Sequence, residues 1–216
     1  NALHRTRERK RLSVTREDHV VEGSAAMFIE AATRWNEMLR TVAGIRTDHY
    51  RFNVRSDRLA NSGTARDHLA SPSFSVVFAP RAGTELYFNT GAGFHSNDAR
   101  GTAATLDTAS GEPVERSPGL VRSRGIEAGL RTEAARGLQT SVAVYRLAFD
   151  SELAYLGDAG TTEAGLPSVR HGVELSNHYK PVKWISVDLD LAYARARSRG
   201  AAPGGRFIAG AVEGVG

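Results

Sequence analysis

Trp184-Ile185-Ser186-Val187-Asp188-Leu189-Asp190-Leu191-Ala192-Tyr193-Ala194-Arg195 alternates without interruption. Ile185, Val187, Leu189, Leu191 and Tyr193 take the odd positions, and Ser186, Asp188, Asp190, Ala192 and Ala194 the even ones. A strand, whose successive side chains point to opposite faces, separates these sets; a helix would wind both around its circumference. The same period sets Phe74, Val76 and Phe78 against Ser73 and Ser75. It sets Leu86, Phe88, Ala92 and Phe94 against Glu85, Asn89 and His95, and Val173, Leu175 and Tyr179 against Arg170, Glu174, Ser176 and His178. Further strands are predicted over Val20 to Trp35, Leu39 to Asn53, Val121 to Glu133 and Leu138 to Asp150. With Phe207 to Val212 beginning another, about eight to nine strands are expected.

The connections alternate between tight and long. Tight ones are expected at Asn36 to Met38, Arg81 to Gly83, Ala135 to Gly137 and Pro181 to Lys183, with long polar ones from about Val54 to Ala70, Ser96 to Leu120 and Leu153 to Pro167. A three-residue turn fixes which positions face each other. Ile29 then meets Ile45 and Ala31 meets Ala43; Val76 meets Phe88 and Phe78 meets Leu86; Leu130 meets Val142 and Ala128 meets Val144; Val173 meets Leu191 and Leu175 meets Leu189. Apolar faces apolar in each hairpin, which predicts an antiparallel up-and-down meander of a single all-β sheet.

The longest apolar run is the five residues Ala25 to Ile29, too short for a helix crossing a bilayer. Cysteine is absent, so disulfides, thiolate metal sites and cysteine nucleophiles are excluded. A net charge of +4 is too balanced to point to nucleic acid. The basic run His4-Arg5-Thr6-Arg7-Glu8-Arg9-Lys10-Arg11 carries no aromatic that would stack a base, so it reads as a solvated segment and no nucleic-acid partner is expected.

Strands of about 10 to 16 residues exceed the usual five or six of soluble sheets and suit a tilted crossing of a bilayer. The face opposite the apolar one carries Glu22, Glu30, Arg34, Arg46, Asp48, Glu85, Glu127, Arg131, Arg170, Glu174, Asp188 and Asp190. So many charges cannot line a dry core, whereas a watered lumen or a polar plug accommodates them. Trp35, Tyr179 and Trp184 sit beside tight turns, as a membrane-interface girdle would. The competing expectation is a soluble β-rich binding or adhesion module whose charged face is its solvent face.

Glu85-Leu86-Tyr87-Phe88-Asn89 leads into Gly91-Ala92-Gly93-Phe94-His95-Ser96-Asn97-Asp98-Ala99-Arg100-Gly101, followed by Ser123-Arg124-Gly125-Ile126-Glu127-Ala128-Gly129-Leu130-Arg131 and Arg170-His171-Gly172-Val173-Glu174. In order and spacing these segments resemble the β-barrel of TonB-dependent outer-membrane receptors. The resemblance implies part of a 22-stranded transmembrane barrel that in the family closes around an N-terminal plug. Residues 1–19 are then a basic extracellular loop or strand remnant and 20–216 a partial barrel without its plug. It further implies a place in the bacterial outer membrane among its lipids, uptake of a scarce solute such as a ferric siderophore or a cobalamin-like ligand, and a TonB-type coupling protein acting through the plug.

Catalysis is not expected. His95 and Ser96 are adjacent and point to opposite faces, which disfavours a nucleophilic pair, and His171 and His178 do the same for a metal site, so neither metal nor cofactor is predicted. Arg170, Glu174, Asp188 and Asp190 share one face and are expected to form a lumenal charge network. His95, Asn97, Asp98 and Arg100, at the start of the longest loop, are the candidate ligand contacts, with Arg100 pairing either with Asp98 or with an anionic ligand.

Overall fold

The structure, a computed structural model, describes residues 2–7, 9–108, 110–156 and 161–199. Its elements in chain order are β1 (Ala2–Arg7), β2 (Lys10–Arg34), β3 (Leu39–Ser56), a 3-10 turn (Leu59–Asn61), β4 (Gly63–Arg81), β5 (Thr84–Ser96) and α1 (Ala99–Ala103). There follow β6 (Leu120–Ala135), β7 (Leu138–Phe149), β8 (Leu153–Leu156), β9 (Thr161–Ala164), β10 (Ser168–Val182) and β11 (Ile185–Ser198). Nine strands form one antiparallel sheet in the order β1-β2-β3-β4-β5-β6-β7-β10-β11, and β8 and β9 form a small separate hairpin inside the third long connection. This is the expected all-β meander, open at both edges among the described residues; the segment Phe207 to Val212 lies outside them.

Three hairpins have the register read from the sequence: Ile29 pairs with Ile45, Val76 with Phe88, and Leu130 with Val142. The fourth slips by two residues. Leu175 pairs with Leu191 and Val173 with Tyr193, because the turn falls at Lys183 and Trp184, one residue past the expected Pro181 to Lys183. A slip of two keeps every side chain on its face, so the two faces stand as read.

Several strands outrun their apolar pattern. β2 begins at Lys10 rather than Val20, and β3 and β4 continue to Ser56 and from Gly63, which reduces the expected loop from Val54 to Ala70 to a short turn. Backbone pairing persists where strands leave the apolar layer, but the alternation fades there because the inward face buries polar and apolar side chains alike, Arg16, Asp18 and Val54 among them.

Hydrogen-bonded rows run across the sheet. Leu39, Phe78, Leu86, Leu130, Val142, Leu175 and Leu191 form one, and Thr41, Val76, Phe88, Ala128, Val144, Val173 and Tyr193 the next. These rows form the outward face, and their large apolar side chains stand open, Leu191 at 56% and Tyr193 at 67% exposure. A chain that leaves this much apolar surface uncovered needs a lipid solvent for that face. Trp184, 83% exposed, and Trp35, 65% exposed, stand at the tight-turn end as an interfacial girdle requires.

The other face is polar and bonded across strands. The Arg40 guanidinium donates to Glu85 at 2.8 Å, the Ser75 hydroxyl to Asn89 at 2.6 Å, and the Asn89 amide to Glu127 at 3.3 Å. Arg131 lies over the Tyr87 ring, 4.8 Å from its centre. Tyr87 in turn lies across Gly129, and Tyr145 across Gly172, each ring filling the space that a Cβ on its cross-strand glycine would need.

Candidate functional site

At the long-loop end the polar face carries a buried cluster of Phe52, Val54, Ala99 and Ala103. Phe52 and Val54 follow Asp48 and Tyr50 on the lumenal side of β3, so α1 is seated against the inside of the sheet rather than beyond its rim. The segment 97–119 therefore folds inward. Asn61, with no exposed surface, holds it there: its amide NH2 donates to the Leu106 carbonyl at 3.0 Å and its oxygen accepts from the N–H groups of Thr105 and Leu106, each at 3.0 Å. The Thr105 hydroxyl donates to the Ala60 carbonyl at 2.7 Å, and the far end of the segment is fixed by the Leu120 N–H donating to Asp67 at 2.9 Å.

The four loop residues singled out from the sequence lie together at the start of this segment. Asn97 is buried, its amide donating to the Pro118 carbonyl at 2.6 Å and its N–H to Gly119 at 2.9 Å. Asp98 caps α1 by accepting the Arg100 N–H at 2.9 Å and also grips the Arg100 guanidinium through both oxygens. Of the two pairings open to Arg100, the structure contains the one with Asp98. Burial pushes the Asp98 carboxyl upward, but the side-chain and backbone hydrogen bonds from Arg100 outweigh it, and with the charges of Arg100 and Arg16 they hold it below the ordinary value of 3.8. Arg16 is itself buried beside Asp18, its ion-pair partner.

His95 is half-buried and its Nε2 is enclosed without a hydrogen-bond partner. Phe94, expected on the lipid face, instead meets Tyr50 edge-on with ring centres 5.8 Å apart. The cause is topological. β5 pairs with β4 only as far as Gly91, beyond which it stays with β6 and leans over the lumenal side of β3. Alternation still holds along β5, but the surface it faces has changed.

Arg170, Glu174, Asp188 and Asp190 do share the lumenal face, yet they do not bond to one another. Arg170 reaches Glu152 at 2.9 Å and stacks on Phe149; Asp190 accepts from Ser176 at 2.6 Å; Asp188 pairs with His178 at 2.6 Å. Among the described residues Glu174 has no ion-pair partner, so the network consists of separate pairs along β10 and β11. Sequence reading missed Asn61 and Asp67, since each acts on a segment distant in the chain, and the Arg16–Asp18 pair, which is local but buried within a segment read as a solvated basic remnant. The α1 cap did leave a signal in Asp98-Ala99-Arg100, an N-cap residue entering a short turn.

An antiparallel sheet with an open apolar face, a bonded polar face, short turns at one end and an inward-folded loop at the other is the wall of a transmembrane β-barrel. The chain belongs to the family described as TonB dependent receptor-like, beta-barrel, which matches residues 8–212. That places the sheet in the bacterial outer membrane and sets aside the soluble module. Comparison with curated proteins finds no match. Among solved structures, the copper transporter OprC is 17% identical over 83% of this chain and 30% of its own, with a TM-score of 0.64. The FrpB iron transporter from Neisseria meningitidis is 15% identical over 83% of this chain and 26% of its own, TM-score 0.64. The ferric yersiniabactin uptake receptor FyuA from Yersinia pestis is 14% identical over 85% and 28%, TM-score 0.67. At such identities the likeness is one of fold, and the chain spans less than a third of each of these structures.

Proposed function

We propose that the chain forms part of the wall of a TonB-dependent transporter that takes up a scarce solute, with a ferric siderophore as the first expectation and a cobalamin-like ligand as the second. The observation that carries this reading is the segment 97–119, seated on the lumenal face by Asn61 and packed over the buried cluster of Phe52, Val54, Ala99 and Ala103. A loop held in this way narrows a lumen and offers a preformed polar rim to a chelate. The long-loop end faces outside the cell. Asp98 and Arg100 set the shape of the rim, and His95 and Asn97 lie beneath it as contacts that open with the loop. No catalytic step is required, and energy reaches the barrel from a TonB-type partner through the plug.

Growth of the producing bacterium under metal limitation on a panel of ferric chelates and on cobalamin tests this. Removing the gene is expected to abolish use of one class of chelate, and loss of the coupling protein to abolish it equally. If no solute depends on both, the reading fails. Arg100→Ala is expected to weaken uptake while the amount of folded barrel stays unchanged.

A further inference from the structure

β4 and β5 begin as ladder partners and end apart. They pair from Arg81 with Thr84 as far as Ser73 with Gly91, yet β4 reaches outward to Gly63 and β5 to Ser96. Past this fork each strand keeps one neighbour, β4 with β3 and β5 with β6, and among the described residues no ladder pair crosses the split. Two unpaired edges inside a barrel wall are a defect that closure otherwise abolishes. The His68 N–H turns to its own neighbour, Asp67, at 2.8 Å, and the Asp67 carboxylate spans the split by accepting from the Leu120 N–H at 2.9 Å. From the lumenal side α1 lies against β3 and β4, and Gly119 packs on Phe52 and Asp67, so the segment 97–119 backs the split.

The residues at the fork suit a hinge. Pro72 has no N–H to give the next rung, and Gly91 and Gly93 leave β5 free to bend. Continuing the register would pair Phe94 with Ala70 and Ser96 with His68, and would return Phe94 to the face of Phe88, where alternation puts it. Three polar atoms beside the fork, the Ser71 hydroxyl, His95 Nε2 and the Asn97 side-chain oxygen, are enclosed without a hydrogen-bond partner while the segment is seated. Each such group disfavours the split arrangement, whereas the Asn61 bonds, the apolar seat of α1 and the contact of Phe94 with Tyr50 favour it. Opposed contributions in a packed element give two discrete arrangements rather than a continuous range. We infer that the β4–β5 seam is a zipper set against the segment 97–119. With the segment seated, the wall is split and the loop backs it; with the segment lifted, β5 rejoins β4, so the wall is sealed in both states. The inference rests on the reading of 97–119 as a rim that opens.

The test uses the full-length receptor in its own outer membrane, freed of any other cysteine. A pair at His68→Cys and Ser96→Cys reports the zipped seam, since only rejoined strands bring the two within the Cα separation of about 4.4 to 6.8 Å that a disulfide tolerates. A pair at Val76→Cys and Phe88→Cys, opposite each other in the standing ladder, is the control. Loosening the clasp with Asn61→Ala is expected to speed oxidative cross-linking of the first pair at least about tenfold and to leave the second unchanged. Hydrogen exchange on receptors without introduced cysteines gives an independent reading: Asn61→Ala should slow exchange at 66–70 and 92–96 while speeding it at Thr105 and Leu106. Cross-linking that is no faster, or seam amides that exchange at the same rate or faster, would overturn the inference. Should the cysteine pair fail to fold, judged by heat-dependent gel migration, the exchange comparison decides. Should Asn61→Ala fail, Thr105→Ala, which removes only the bond to the Ala60 carbonyl, takes its place. Neither measurement needs a solute. A receptor that zips but supports growth on no chelate therefore loses the uptake reading and keeps the seam, and one that takes up chelate while its seam ignores Asn61→Ala loses the seam alone.

Discussion

Asn61 uses donor and acceptor together on a segment about 45 residues away, at a position with no exposed surface. Its replacement by Ala leaves the Thr105 and Leu106 amides and the Leu106 carbonyl to half-buried surroundings. A buried polar group without a partner costs about 1 to 3 kcal/mol, and partial access to water lowers the sum, so the loop should open more easily by about 2 kcal/mol. Faster hydrogen exchange at Thr105 and Leu106 without faster exchange in β6 is the expected outcome; uniform acceleration would refute a local clasp. Asp98 supplies a pH dependence whose direction is fixed. Its carboxyl titrates lower when folded than unfolded, so its contribution is complete above the ordinary value of 3.8 and is lost as pH falls through the depressed folded value. A spin label on Ser110→Cys, unique in a cysteine-free chain, should keep its mobility from pH 7 to about 5 and gain mobility only in strong acid. Asp98→Asn should remove that acid limb, and a transition between pH 5 and 7 would point to another group.

At the scale of the strand pair, Gly125-Ile126-Glu127 and Gly172-Val173-Glu174 share a Gly-x-Glu pattern near the start of two strands that follow long loops, and the reason for the glycines is not legible in the sequence. Both glycines face β7, Gly125 opposite Leu147 and Gly172 opposite Tyr145, and the Tyr145 ring lies over Gly172 so closely that a Cβ would enter it. Sequence shows alternation within a strand, whereas this contact exists only once two strands are in register. Gly172→Ala should destabilise the barrel by about 1 to 3 kcal/mol through overpacking. In a Tyr145→Ala background the same substitution should cost far less, because the ring that it strikes is gone. Equal costs in both backgrounds, by urea unfolding in vesicles, would exclude the contact. The same limit explains Phe94: alternation placed it on the face of Phe88 and Ala92, and only the departure of β5 from β4 turns it toward Tyr50. The slipped fourth hairpin has a different origin: the β4–β5 and β6–β7 hairpins carry the same one-residue irregularity and keep the expected register, whereas here the turn falls at Lys183 and Trp184, one residue past the expected Pro181 to Lys183.

Across the whole wall, the outward boundary between apolar and basic residues does not follow a hydrogen-bonded row. On β3 and β4 the first basic side chains are the stacked His49 and His68, followed by Arg51 and Arg66, while on β10 and β11 the first are His171 and Arg195, in the row of Ala43. Measured from the histidine pair, the boundary therefore shifts by the interval from Ala43 to His49 over the six strand steps from β3 to β11. Strands about 4.8 Å apart and tilted by about 40° would shift a level line by about 24 Å over that distance, about seven residues of strand. The agreement makes the boundary a single level in the membrane plane, with the arginines at its interface and Leu189, between Trp184 and Arg195, near mid-depth. Leu189→Arg should then destabilise the barrel by about 2 to 4 kcal/mol, the cost of a cation in the hydrocarbon. Asp190→Asn, one residue on, keeps an acceptor for the Ser176 hydroxyl and changes a group that faces water, so it should cost well under 1 kcal/mol. Neighbours in sequence with the same strand and depth differ only in the face they occupy. Equal small effects at the two positions, measured by unfolding in lipid vesicles, would show that the face carrying Leu189 is not the one in contact with lipid.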